Sequence, residues 1–185
     1  VDAFKISSNI VPIKISEELK LNVIIELAND FGLGKEQKLE ELLPLAIGAY
    51  GDSLLNITNV YSVINNNGID IETSIIQRIE SNDGKFFWEN EEAEERIIEK
   101  EIAKKSNILL EKSVSEGSGM AAKINGEKVL GKTGTSDGNR DIWFIGSINN
   151  FTTGVWLGFD NNKETDLSSG YAAYLWKLFN LEIIK

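Results

Sequence analysis

The sequence contains no cysteine and no histidine. Without cysteine there can be no disulfide framework, no thiolate nucleophile and no thiolate metal ligand. Without histidine the commonest metal ligand and the usual general base of hydrolases are both missing, so any base must be Lys, Asp, Glu or Tyr. Basic residues are in short supply: 19 Lys and Arg stand against 29 Asp and Glu, a formal net charge of -10. That balance repels phosphate backbones and anionic membrane surfaces, so no nucleic-acid partner is expected. No apolar run approaches the roughly 20 residues needed to cross a bilayer, and no signal peptide leads the chain. The first residue is Val1 and the only methionine is Met120, so the chain is expected to be a piece of a longer protein with any anchor or leader upstream. What is present is a globular mixture, 42% hydrophobic and 26% charged over 185 residues. That is enough to build one folded domain with its own core and speaks against disorder.

Periodicity divides the chain into a helical front and a β-rich rear. Ser16 followed by Glu17 and Glu18 predicts a helix start, with Leu19, Val23, Ile24 and Leu27 on one face and Gly32 and Gly34 ending it. A short helix is predicted over Lys38 to Leu43, bounded by Pro44, and another over Leu54 to Ile64, stopped at Gly68. Two β-prone runs, Ser74 to Glu80 and Lys85 to Trp88, flank Asn82-Asp83-Gly84 and predict a hairpin. Glu91 to Glu116 reads as a charged amphipathic helix with Ile97, Ile98, Ile102 and Leu109 on its apolar face, closed by Gly117-Ser118-Gly119. Three strands follow, Val129 to Ser136, Ile142 to Ile148 and Phe151 to Phe159, joined by short turns as an antiparallel meander. A last helix, Ser169 to Phe179, presents Ala172, Leu175, Trp176 and Phe179 to the sheet. The predicted class is α+β, an antiparallel sheet covered by helices, in three stretches: a helical lobe over 1–68, a hairpin and helix over 69–128, and the sheet strands with a final helix over 129–185.

The residues best suited to chemistry are Lys132-Thr133-Gly134-Thr135 on the first of the three strands. A Lys ammonium beside Thr hydroxyls forms a carboxylate-binding pair. Alternation puts Lys132 and Gly134 on one face and Thr133 and Thr135 on the other. Gly134 has no side chain and lets a ligand approach the backbone, and a free strand edge can pair with an extended peptide. Other chemistry-capable residues have structural readings. Trp143, Phe144, Trp156 and Trp176 read as core or sheet aromatics, Arg140 and Asp141 as a turn salt bridge, and Glu89 to Glu95 as the solvated start of a helix. Asp160, Asn161, Asn162, Glu164 and Asp166 lack the spacing of a calcium loop and read as a polar loop.

The run Gly131-Lys132-Thr133-Gly134-Thr135-Ser136, with Asn139-Arg140-Asp141, Trp143-Phe144, Gly146 and Thr152-Thr153-Gly154-Val155-Trp156-Leu157-Gly158-Phe159-Asp160 behind it, resembles the third to fifth strands of class A penicillin-binding proteins, the bifunctional peptidoglycan synthases of the bacterial envelope. The Lys-Thr-Gly box is one of three that this superfamily shares with serine β-lactamases. Ser7-Ser8-Asn9, followed by Ile10-Val11-Pro12, matches the Ser-x-Asn box, and Gly117-Ser118-Gly119 stands where many relatives have Gly-Thr-Gly. The third box, Ser-x-x-Lys, is not found: no Ser of this sequence has a Lys three residues on. In the family that box lies some tens of residues before Ser-x-Asn.

The resemblance implies the carboxy-terminal part of a β-lactamase/transpeptidase-like domain, incomplete at its amino-terminal side. It implies a serine D,D-transpeptidase that cross-links peptidoglycan stem peptides at their D-Ala-D-Ala end and is trapped by β-lactam antibiotics. Ser7 would relay a proton to the leaving nitrogen, Asn9 would hold an amide of the acyl donor, and Lys132 would supply positive charge near Ser7. Thr133 or Thr135 hydroxyls would bind the terminal carboxylate, Gly134 would admit the ligand, and the Thr135 N–H would serve an oxyanion hole. Neither metal nor cofactor is implied. The implied location is the periplasm or the extracytoplasmic face of the inner membrane, held by an upstream transmembrane segment. A non-catalytic envelope sensor or scaffold that keeps the carboxylate pocket remains an alternative, as does a D,D-carboxypeptidase or serine β-lactamase relative.

Overall fold

The computed structural model describes residues 1–35 and 37–185. Its centre is a three-stranded antiparallel sheet of β5 (Val129–Thr135), β6 (Asp141–Ile148) and β7 (Phe151–Gly158), in the order β5-β6-β7. Before it in the chain come β1 (Ile69–Ile71), β2 (Arg78–Glu80), β3 (Phe87–Glu89) and β4 (Glu94–Arg96), and the helices are α1 (Asp2–Lys5), α2 (Ile10–Leu19), α3 (Leu21–Asp30), α4 (Leu54–Asn65), α5 (Lys100–Glu116) and α6 (Ser169–Ile183). The molecule is therefore α+β, with helices on an antiparallel sheet. The three rear strands lie within one residue of their predicted bounds because turn chemistry delimits them: Gly138 and Asn149 both adopt positive φ, a region open to Gly and tolerated by Asn.

Alternation in the sheet decides what each helix covers. On one face Ile142, Phe144 and Ile148 of β6 pack with Ala172, Ala173 and Trp176 of α6 and with Val114 and Ala122 into one buried cluster. The Phe144 and Trp176 rings meet edge to face with centroids 5.4 Å apart, a favoured aromatic geometry. Trp176 Nε1 donates to the Thr153 carbonyl of β7 at 3.1 Å. On the opposite face Gly154 of β7 leaves room for α4, since a Cβ there would lie 2.1 Å from Thr58 Oγ1. Trp143 and Trp156 pair across β6 and β7, and Trp156 Nε1 donates to Asp141 Oδ1 at 3.0 Å.

Several predicted elements are corrected. The first long helix begins at Ile10, not Ser16, and Ser16 is buried inside α2 with its hydroxyl donating to the Ile13 carbonyl at 2.7 Å. Pro12 is compatible because it lies in the first turn, where backbone N–H groups have no intrahelical partner. The predicted face of Leu19, Val23, Ile24 and Leu27 is split at Lys20, which has φ 71° and separates α2 from α3. No helix covers Lys38 to Leu43; a 3-10 turn at Leu43–Ile47 follows, with Pro44 at its start. The helix predicted from Glu91 begins at Lys100 instead, and Glu94–Arg96 is strand β4, paired with β1. Its buried positions are Ala103, Leu110, Ser113 and Val114, one helical face around from Ile102, which is half exposed. The Asp83-Gly84 hairpin forms between the shorter strands β2 and β3. Arg140 pairs with Glu164 at 3.3 Å rather than with Asp141, whose carboxylate takes the Ser136 hydroxyl at 3.0 Å. In α6 the buried side is Ala172, Ala173, Trp176 and Asn180, while Leu175 and Phe179 face outward.

Candidate active site

Lys132 projects from β5 toward the turn that follows α1. Its Nζ donates to Ser7 Oγ at 2.7 Å and to the Thr133 carbonyl at 3.0 Å, and lies 5.8 Å from the centroid of the Phe4 ring, within cation–π range. Ser7 and Lys132 are 125 residues apart in sequence, so only the tertiary structure joins them. Ser7 adopts φ 56°, a left-handed conformation unfavourable for a side chain-bearing residue and concentrated at functional sites. Local bonds hold it there: the Ser7 amide donates to the Phe4 carbonyl at 3.1 Å and the Ser8 amide to the Ala3 carbonyl at 2.8 Å.

The end of α5 clamps this turn. The Ser118 amide donates to the Lys5 carbonyl at 3.1 Å, and Lys5 Nζ pairs with Glu116 at 3.3 Å and Asp2 at 3.4 Å. Gly117 has to lack a side chain, because a Cβ there would sit 2.3 Å from the Lys5 carbonyl oxygen. The Ser118 hydroxyl lies 2.8 Å from Thr133 Oγ1.

The predicted alternation along β5 holds. Thr133 is 8% exposed and opposite Phe144 in the register, while Lys132 leaves by the other face. Thr135 is exposed at the strand end, paired with Ile142. Gly134 faces Trp143, and a Cβ there would come within 3.2 Å of the Trp143 Cβ, a tight contact across the strand pair. Asn9 is exposed at the start of α2, with a side chain that does not cap the helix. Ser7, Lys132, Thr133 and Ser118 are thus joined in one hydrogen-bonded group, with Thr135 one alternation further along the strand. A wide polar cleft between α3, α4 and the β1–β4 pair, lined by Asp30, Lys35, Asn59, Asp70, Glu94 and Arg96, contains none of them.

Burial pushes the Lys132 ammonium below its ordinary value of 10.5, since desolvation disfavours the charged form. An ammonium that donates to a serine hydroxyl leaves that hydroxyl's own proton free to point elsewhere and stabilises negative charge developing on its oxygen. The group therefore suits proton delivery from the serine hydroxyl. Ser7, Lys132 and Thr133 stand in motifs legible in the sequence and Ser118 in the Gly117-Ser118-Gly119 turn, whereas the contacts of Phe4 and Lys5 depend on ring and backbone placement and carry no local motif.

Comparison with known proteins identifies the family and the fold. Residues 1–174 match the family model described as penicillin binding protein transpeptidase domain. Penicillin-binding protein 1A of Clostridium botulinum is 31% identical over 180 residues, covering 95% of this chain and 22% of that protein. Penicillin-binding protein 1A of Rickettsia typhi is 26% identical over 184 residues, covering 87% of this chain and 23% of that protein. The chain thus spans about a fifth of the length of these curated relatives, within their carboxy-terminal portion. Among solved structures, penicillin-binding protein A from M. tuberculosis, as its imipenem acyl-enzyme, superposes with a TM-score of 0.81 at 16% identity over 99% of this chain and 47% of that one. Penicillin-binding protein 1A from Haemophilus influenzae gives 0.81 at 20% identity over 96% of this chain and 34% of that one. The fold is shared with these proteins, and by its match to the family model the chain belongs to the penicillin-binding protein transpeptidase domain family.

Proposed function

We propose that this chain forms the proton-relay and carboxylate-binding wall of a peptidoglycan D,D-transpeptidase. The observation that carries this reading is the 2.7 Å bond from Lys132 Nζ to Ser7 Oγ. The nucleophilic serine comes from a Ser-x-x-Lys segment outside these 185 residues, where no such spacing occurs. Its Oγ forms a bond to the carbonyl carbon of the penultimate D-Ala while its proton passes to the neighbouring lysine. The C–N bond then breaks, and the Ser7 hydroxyl gives its proton to the departing amine. Lys132 stabilises the charge left on Ser7 until the proton is returned. Thr133 and Thr135 bind the terminal carboxylate, Asn9 holds an amide of the acyl donor, and the Thr135 N–H shares the oxyanion with the N–H of the nucleophile. An amine of a second stem peptide resolves the acyl-enzyme. Exposed Tyr171, Tyr174, Leu178 and Phe179 on α6 are in keeping with cover by further protein. The working location is the extracytoplasmic side of the membrane, through an anchor elsewhere in the protein; no helix among the described residues is long and apolar enough to cross a bilayer.

A fluorescent penicillin is expected to label the full-length protein covalently and to leave residues 1–185 alone unlabelled. An unlabelled full-length protein would overturn the enzyme reading in favour of the sensor or scaffold, and labelling of the fragment would contradict the missing nucleophile. A pH profile of the labelling rate tests the role of Lys132. Because burial lowers its pKa from 10.5, the ammonium loses its proton as pH rises before an ordinary lysine would, and the rate should fall on the alkaline side with an apparent pKa under 10.5. Lys132→Arg, whose charge persists to far higher pH, should abolish that limb whatever it does to the plateau.

A further inference from the structure

We propose that Ser118 is a positioning residue that orders the Thr133 hydroxyl proton toward the carboxylate of the ligand. This rests on the proposed function, in which Thr133 meets that carboxylate. The two hydroxyl oxygens are 2.8 Å apart, and either can be the donor. Each hydroxyl has one proton and two acceptor lone pairs, whereas a carboxylate only accepts. A bound carboxylate therefore breaks the degeneracy. Thr133 must donate outward to the anion, and it can do so while its own oxygen accepts from Ser118. The result is a chain of donors from Ser118 through Thr133 to the carboxylate, in which each bond polarises the next.

The position of Ser118 is fixed tightly enough for this role. The Gly117 and Gly119 amides both donate to the Ser113 carbonyl, at 3.1 and 2.9 Å, and the Ser118 amide donates to the Lys5 carbonyl at 3.1 Å. A Cβ on Gly119 would lie 3.2 Å from that Ser113 oxygen and 3.3 Å from the Phe144 ring. The turn is therefore held against both α1 and the core. A single residue ties the segment leading to Ser7, through its amide, to the strand carrying Lys132, through its hydroxyl. At 8% exposure, Thr133 has little water with which to replace a lost donor, so removing the Ser118 hydroxyl leaves the Thr133 oxygen without the bond that polarises its donation to the carboxylate.

The test compares two probes on the full-length protein: a penicillin with its free carboxylate and the methyl ester of the same penicillin. Ser118→Ala is expected to slow acylation by the carboxylate probe about tenfold, the effect of losing a hydrogen bond that supports a charged acceptor, while acylation by the ester changes by less than about twofold. Ser118→Thr, which keeps the hydroxyl, should restore discrimination between the probes. In a Thr133→Val background, Ser118→Ala should cause no further loss, because the two residues act as a chain. Equal losses with both probes would assign Ser118 a merely structural role and overturn the proposal, as would an unchanged rate with the carboxylate probe. If the wild-type protein reacts with neither probe, the proposed function itself fails, an outcome distinct from a reactive wild type with an indifferent Ser118→Ala variant.

Discussion

Replacing Lys132 with methionine is expected to slow acylation by a fluorescent penicillin by roughly 10²–10³-fold, the scale of losing one preorganised electrostatic partner of the developing charge. The ammonium is the only donor given to Ser7 Oγ by a side chain of the described residues. In the proposed mechanism Ser7 would then surrender its proton without the Lys132 ammonium that now bonds its oxygen. The variant should also stay folded. Burial depresses the Lys132 pKa below 10.5, so the folded state disfavours the charged form relative to the unfolded chain. In the window between the depressed value and 10.5 the unfolded chain binds more protons, and stability therefore rises with pH there; below the window the penalty is present in full. An apolar side chain of similar length escapes that penalty. Rates of labelling and a melting curve, measured on the same full-length variant, should show a large loss of the first and an unchanged or raised second. A parallel fall in both would mean that Lys132 serves the fold rather than the reaction. This is the stability–activity conflict expected of a site group.

Trp176→Ala is expected to cost about 3–5 kcal/mol, a large share of the roughly 5–15 kcal/mol that holds a domain together. The indole is fully buried and meets Phe144 edge to face. It also satisfies the Thr153 carbonyl, so truncation creates a cavity and removes a donor together. Gly146 shows how closely the ring is fitted: a Cβ there would stand 3.3 Å from it and 2.8 Å from the Phe144 ring. For a domain of this length the melting temperature should fall on the order of 10 °C, measured calorimetrically on the full-length protein. The disturbance should reach the site, since Phe144 also backs Gly119, next to Ser118, and Gly131, two residues before Thr133. A fall of only a degree or two would show that α6 contributes little to the sheet.

The parts of the fold legible in the sequence share one property: local chemistry delimits them. β5, β6 and β7 are bounded by turns whose residues tolerate positive φ, and their alternating pattern places Phe144 in the core. The Asp83-Gly84 hairpin and α4 are legible for similar reasons, the latter with Ser53 accepting from the Asn56 amide at 3.1 Å as its cap. The misread elements are those in which tertiary pairing outweighed local preference. Glu94–Arg96 is strand because β1 is beside it, although its composition favours a helix. The break at Lys20 divides a continuous apolar pattern and has no glycine or proline to announce it.

The same division applies to function. The sequence by itself bounded the available chemistry: with no histidine or cysteine, a base must be lysine, a carboxylate or tyrosine, and Lys132-Thr133-Gly134-Thr135 and Ser7-Ser8-Asn9 are where lysine and hydroxyl groups stand in motifs. Only the tertiary structure decided that Lys132 reaches Ser7 at 2.7 Å, that Thr133 turns toward Ser118, and that Ser7 is held at positive φ. The physical reason is range. Residue type and turn propensity act over a few neighbours, whereas the placement of an ammonium beside a hydroxyl 125 residues away depends on how α1, α5 and β5 pack together, and no local pattern encodes that packing.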